Sequence, residues 1–240
     1  MSNGKVIESV LFKIVDILEA NHIDYWLTDG TLLGIIRENR ILLWDLDVDI
    51  GVWKSEVSVS NLISVLEKNG FRYLERLSNM DSHHFLLGEV LLDINLYSRD
   101  QKNVSIKWAS NPTKLVDRIF VKSINAIYES HKGTCIVDTN RSTSVVVFKW
   151  LMGAFGRLLP QNILEKMYAN ARSKYLYIGC SYPSQLLKMK KISFRKRVLT
   201  VPSNCNEYLR LTYGEDWMKP NQNYKWEVDT KNLKSIKNEV

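Results

Sequence analysis

The sequence predicts an α+β protein: a mixed sheet flanked by helices, followed by a helical C-terminal extension. Three observations carry that expectation. The chain opens on an amphipathic helical stripe, short apolar strands alternate with helices as far as Asp100, and helical periodicity dominates two segments beyond it.

Val6, Ile7, Val10, Leu11, Ile14 and Leu18 share one helical face, so "VIESVLFKIVDILEANH" is the first helix. "DYWLTD" follows as a short strand. Gly30-Thr31 turns the chain into a short helix, "TLLGIIRE", and the next strand runs from Trp44 to Trp53. A helix over 57–68 stops at Asn69-Gly70, because a left-handed C-terminal residue favours Gly. "FRYLERL", "HHFLLG" and "VLLDINLYS" then read as successive strands, paired antiparallel. Past Asp100, "TSVVVFKWLMGAFGRLL" and "QNILEKMYANARSKYLYIG" read as helices, and the tail from Tyr208 is aromatic and rich in turns. No internal repeat, low-complexity tract or Gly/Ser linker interrupts the chain.

Composition narrows the function class. With 240 residues, 45% hydrophobic and 25% charged, the chain has the make-up of an ordinary globular protein with a full core. Its net charge of +7 suits an anionic ligand such as a nucleotide, a phosphate-bearing polymer or an acidic membrane surface. Cys135, Cys180 and Cys205 are odd in number and widely spaced, which reads as reduced thiols with no zinc site. No signal peptide or membrane-spanning run is visible. Together these features place the protein in the cytoplasm, with peripheral contact at the inner membrane surface left open.

The chemistry concentrates in "WDLDVDIGV". Side chains two apart in a strand share a face, so Asp45, Asp47 and Asp49 line one side while Leu46, Val48 and Ile50 pack on the other. Like charges on one half-buried face are unfavourable without a cation, and three Asp are poor strand formers. At about 6.5–7 Å between successive same-face residues, their carboxylates can converge on a hard divalent ion. Asp93 is a lone charge in the apolar strand "EVLLDINLY", placed to join that site from a neighbouring strand. In "DGTLLG" the Gly30-Thr31 turn opens a helix whose N-terminal amides suit phosphate, although Thr31 also serves as a simple cap.

A Gly-Ser/Thr turn, a helix, a DxD strand and a later acid form the pattern of the nucleotidyltransferase fold. The wording "GTLLGIIR" to "WDLDVDIGV" resembles the LicD/fukutin family of phosphotransferases, including its fukutin-related branch. "LTVPSNCNEYLRLTYGEDWMKP" is similar to that family's closing motif, so the resemblance spans nearly the whole chain. It implies a nucleotidyltransferase-like catalytic core over 1–130 and a helical part over 131–240 packed on it. It also implies transfer of a phospho-alcohol, such as ribitol phosphate, glycerol phosphate or phosphocholine, from a CDP-activated donor to a hydroxyl of a surface glycan or teichoic-acid-like polymer, releasing CMP. By the same resemblance, Asp47 and Asp49 hold Mg²⁺ or Mn²⁺ with Asp93 as third acid, Gly30 and Thr31 line the donor phosphates, and Arg37 is the family's arginine. The chain departs from the pattern at Leu46, where many members carry an acid, at Leu43, often Pro, and at Glu38, often His.

Other residues leave alternatives open. Asp45 is either a ligand or a group that orients one. "KMKKISFRKR" is either a solvated basic face or a patch for phosphate or an anionic membrane; Arg195 and Arg197 are placed near the donor, as is Asp216 of "YGEDWMKP". His83 and His84 read as packing or supporting groups, and Tyr213 and Trp217 as structural plugs. Nucleotidyl transfer on the same fold, with pyrophosphate released, is the alternative reaction. A non-catalytic nucleic-acid-binding role is the alternative class, disfavoured because the acidic strand would repel phosphate; no nucleic-acid partner is expected.

Overall fold

The computed structural model describes residues 3–75, 78, 80–110, 112–131, 147, 151, 152, 154–225 and 229–236. The chain folds as two compact units, Met1–Trp108 with Ile178–Ser235, and Ala109–Tyr177 with Ile236–Val240. The division expected at residue 130 falls elsewhere, because the chain after Tyr177 returns to the first unit as strands.

In the first unit, α1 (Asn3–Ala20) buries Ile7, Val10, Leu11, Ile14 and Leu18, while Val6 stays exposed at the edge of the stripe. β1 (Tyr25–Leu27) leads directly into α2 (Asp29–Glu38), which ends on Asn39 in the left-handed conformation at φ 51°. Asn tolerates that conformation, and its N–H reaches back to the carbonyls of Gly34 and Ile35. β2 is Asp47–Trp53; α3 (Val59–Lys68) is capped by Ser58, which accepts from the Asn61 N–H. β3 (Arg72–Tyr73), β4 (Ser82–Leu87), β5 (Val90–Arg99) and β6 (Asn103–Ser110) complete the front half.

The sheet is mixed. β1 pairs antiparallel with β2, β2 pairs parallel with β5, and β5 pairs antiparallel with β4 on its other edge. Register places Asp49 beside Asp93, and Asp93 beside His84. Side chains paired across strands share a face. One row across three strands therefore carries Asp49, Asp93 and His84, while Val48, Ile50, Leu92 and Ile94 on the opposite face are fully buried in the core. The next row up sets Trp26 against Gly51, where a Cβ would collide with the indole; only Gly permits that approach.

Beyond residue 176 the expected helical half is largely strand. β7 (Leu176–Pro183), β8 (Met189–Phe194), β9 (Arg197–Pro202) and β10 (Leu233–Ile236) are joined by a 3-10 turn over Ser184–Leu187 and one helix. β8 and β9 form a separate two-stranded hairpin. In the second unit, α4 (Leu115–His131) and α5 (Gln161–Ser173) pack around Val121, Ile124, Ile127, Leu164 and Ala171. α5 matches the second helix expected from sequence; of the helix expected over 143–159, residues 147, 151, 152 and 154–157 are helical, while 143–146, 148–150 and 153 lie outside the described residues, as does Cys135. α6 (Cys205–Tyr213) belongs to the first unit and carries the Tyr-Leu pair of the closing motif.

Candidate active site

Five carboxylates meet where β1 turns into α2 and β2 begins: Asp29, Asp45, Asp47, Asp49 and Asp93. Oxygens of Asp45, Asp47 and Asp49 all lie within 4.8 Å of one another. The strand begins only at Asp47, so Asp45 reaches the cluster from the preceding turn, its N–H bonded to the Leu42 carbonyl. That corrects the expectation of a strand from Trp44. Leu46 is likewise 58% exposed, not packed beneath the sheet, because it precedes the ladder that would cover it.

Asp49 is anchored most firmly. Its Oδ2 accepts from the Thr31 N–H at 3.1 Å and from Thr31 Oγ1 at 3.4 Å, while its own N–H donates to Thr31 Oγ1 at 2.8 Å. The N-terminal amide of α2 that sequence reasoning reserved for phosphate thus holds a carboxylate. Gly30 brings the turn close to the acids: a Cβ there would overlap Asp45 Oδ2 and stand 3.3 Å from Asp49 Oδ2. Gly30→Ala is accordingly expected to displace Asp45 and weaken Mn²⁺ binding, read by electron paramagnetic resonance, with little change in far-UV circular dichroism. Unchanged affinity would show that the turn tolerates the methyl without moving the acid.

Asp29 is a member that the sequence pattern did not single out. It opens α2 at φ 42°, a strained conformation for a side-chain-bearing residue, and Tyr208 Oη donates to its Oδ1 at 3.5 Å. Tyr208 is itself fully buried, bonded to Tyr97 Oη and stacked on Tyr182. The acid beside the Gly-Thr turn was the available signal.

The electrostatics follow from this crowding. Burial pushes Asp29 up to about 6 and Asp45 up to about 8, with the neighbouring acids adding to each. Asp49 is held well above the usual carboxylate range, by burial and then by Asp47, Asp29, Asp45 and Asp93. Asp93 is also raised by burial, but His84 opposes the shift. The His84 Nδ1–Asp93 Oδ1 contact is 2.5 Å. One oxygen of Asp47, Oδ1, is buried without any hydrogen-bond partner. A buried, unpartnered carboxylate oxygen beside two more carboxylates fits a hard divalent cation, whose charge would offset the repulsion.

Arg37 is spent elsewhere. Its Nε and Nη2 bond Glu38 Oε1, and its Nη1 donates to the Trp217 carbonyl at 3.1 Å, so it ties α2 to the closing motif. Glu38 is clasped on its other side by Arg40. Arg195 and Arg197, in the β8–β9 hairpin, pair with Glu8 and Asp16 of α1, and Asp216 pairs with Lys219 on an exposed turn. The structure does not bring these three into the acid cluster.

A mixed sheet that gathers carboxylates beside a Gly-Thr turn and a helix N-terminus offers the oxygen-only donor set that suits a hard divalent cation. Residues 22–108 match the family described as LicD/FKTN/FKRP, nucleotidyltransferase domain. Ribitol 5-phosphate transferase FKRP of mouse and of human are each 38% identical over 64 residues. That alignment covers 24% of this chain and only 13% of either relative. An uncharacterized protein of Rickettsia typhi is 29% identical over 87 residues, 36% of this chain and 26% of the relative. Among solved structures, the lincosamide antibiotic adenylyltransferase LnuA, lincomycin-bound, has 11% identity and a TM-score of 0.41 over 84% of each chain.

Proposed function

We propose that the site transfers a phospho-alcohol, either ribitol phosphate, glycerol phosphate or phosphocholine, from a CDP-linked donor to a hydroxyl of a glycan or teichoic-acid-like polymer. The observation that carries this reading is the Asp45–Asp47–Asp49 cluster, with its unpartnered Asp47 oxygen, inside the segment that matches the LicD family. Asp47 and Asp49 would hold Mg²⁺ or Mn²⁺, with Asp45 beside them; when bound, the ion neutralises the donor's diphosphate charge. Thr31 serves the donor through Asp49, which it fixes, and Gly30 leaves room for the acids.

Bond changes follow from that arrangement. The acceptor hydroxyl oxygen bonds to the phosphorus carrying the alcohol, the bond from that phosphorus to CMP breaks, and the hydroxyl proton passes to Asp93. Asp93→Asn is therefore expected to bind donor and metal nearly as the wild type does, yet transfer about 10²–10⁴-fold more slowly. Recovery of the rate by added Mn²⁺ would instead make Asp93 a ligand only. A thermal-shift screen of CDP-ribitol, CDP-glycerol and CDP-choline with Mg²⁺ tests the donor class, because saturation at about a hundred times Kd stabilises by about 2.7 kcal/mol. Transfer of the nucleotide from a nucleoside triphosphate, with pyrophosphate released, in place of CMP release from a CDP-alcohol, would convert the assignment to nucleotidyl transfer.

The hairpin β8–β9 supports a peripheral role at an anionic surface, since Lys188, Lys190, Lys191 and Lys196 are all exposed on it. Replacing Lys188, Lys190 and Lys191 by Ser should weaken flotation with phosphatidylglycerol vesicles in a salt-dependent way and leave CDP-donor affinity alone. Equal loss of donor affinity would move these lysines into the pocket. No helix among the described residues is long and apolar enough to cross a membrane.

A further inference from the structure

Asp93 differs from the other acids of the site. It forms no three-acid group with them at metal-ligand spacing, and its Oδ1 is taken by His84 Nδ1 at 2.5 Å. His84 is itself held from several sides. Its backbone N–H donates to Ser78 Oγ at 2.8 Å, its carbonyl accepts from the Leu74 N–H at 2.8 Å, and its Nε2 lies 3.4 Å from Ser82 Oγ. Ser82 Oγ in turn donates to Asn95 Oδ1 at 2.9 Å. The four residues form a continuous chain, Asp93–His84–Ser82–Asn95, built by register: His84 lies opposite Asp93 and Ser82 opposite Asn95.

We propose that His84 is a positioning residue: its Nδ1–H fixes Asp93 through Oδ1, withholding the carboxylate from the cation and leaving Oδ2 for the acceptor hydroxyl. Ser82 and Asn95 are the far end of the same brace. The inference rests on the transfer reading above for its kinetic consequence, but the bond itself does not. An acid that both ligates and accepts a proton would have to move between roles; the imidazole settles Asp93 in one. Outer-shell partners of this kind are worth about 10–100-fold when removed.

The test compares the full-length wild type with His84→Asn and His84→Gln. The Asn amide nitrogen lies two bonds from Cβ, as Nδ1 does, so it can still donate to Asp93; the Gln nitrogen lies one bond further and mimics Nε2. With CDP-ribitol and Mg²⁺, His84→Gln should lose about 10–100-fold in kcat. The KM for the donor and the affinity for Mn²⁺ should stay within about twofold, and His84→Asn should retain most of the rate. Wild-type kcat in His84→Gln overturns the proposal, as does loss of Mn²⁺ affinity in parallel with kcat. Nitrogen-15 NMR of the wild type decides the bond without any variant. The four histidines are assignable by single substitution, and His84 should show a proton on Nδ1; a bare Nδ1 overturns the proposal. If the wild type does not turn over any of the CDP-alcohols, the transfer reading fails, while the imidazole spectrum still decides whether His84 braces Asp93.

Discussion

Asp49→Asn is expected to make the metal-free protein more stable while lowering turnover at least about a hundredfold. The two effects have one cause. Asp49 is buried among four other acids, and both its ionised and its protonated forms are unfavourable there relative to the unfolded chain. Asn is nearly isosteric, and its oxygen can still accept from the Thr31 N–H, so the link between α2 and β2 survives while the charge disappears. For a chain of this size each kcal/mol of relief raises Tm by about 2–4 °C. Loss of a negative ligand weakens the cation site directly, a larger effect than the 10–100-fold typical of outer partners. Thermal melts in EDTA and CMP release from the CDP donor with saturating Mg²⁺ measure the two arms. A variant that is less stable and still active would remove Asp49 from the cation site and make it a structural cap for α2.

The acids of β2 were legible in the sequence because alternation is a local signal: Asp47 and Asp49 share a face whatever their neighbours do. Asp93 was legible for a similar reason, as a lone charge in an apolar strand. What joins them was not. The His84–Asp93 contact depends on the register of β4 against β5, which no short window encodes, so His84 reads only as a supporting group until the pairing is seen. Asp29 was hidden by its unusual backbone, since a positive φ on an Asp is not announced by composition. The fate of Arg195 and Arg197 was also non-local: their partners, Glu8 and Asp16, lie at the other end of the chain. The fold was clear as far as β5 and obscure after β6 for the same reason. β8 reads as a run of charge because its lysines and Ser193 face solvent, while Phe194 and, across the hairpin, Leu199 supply the buried side.

The metal-free protein is expected to lose stability as pH rises from about 6.5 to 8, and divalent cations should cancel that loss. Asp29 is raised from 3.8 to about 6 and Asp45 from 3.8 to about 8. A carboxyl raised in the folded state binds its proton more tightly there than in the unfolded chain. Its contribution to stability is full below about 4, the unfolded value, and fades as pH climbs through the folded one. His83 is lowered from 6.5 by burial and runs the other way, its contribution lost as pH falls below 6.5. Glu38, lowered by Arg37 and Arg40, acts only in more acid solution. The window above 6.5 therefore isolates the acid cluster, with up to about 1.4 kcal/mol per pH unit for each group that titrates there. Cation binding demands ionised ligands, so Mn²⁺ should displace protons from the cluster at pH 7 and its apparent affinity should rise with pH. Calorimetric titration in buffers of different ionisation enthalpy counts those protons, and melts in EDTA and in Mg²⁺ give the two stability profiles. A metal-free profile that is flat above 6.5, or Mn²⁺ binding with no proton release, would mean that the carboxylates are already ionised in the fold and that their repulsion is relieved by something other than a cation.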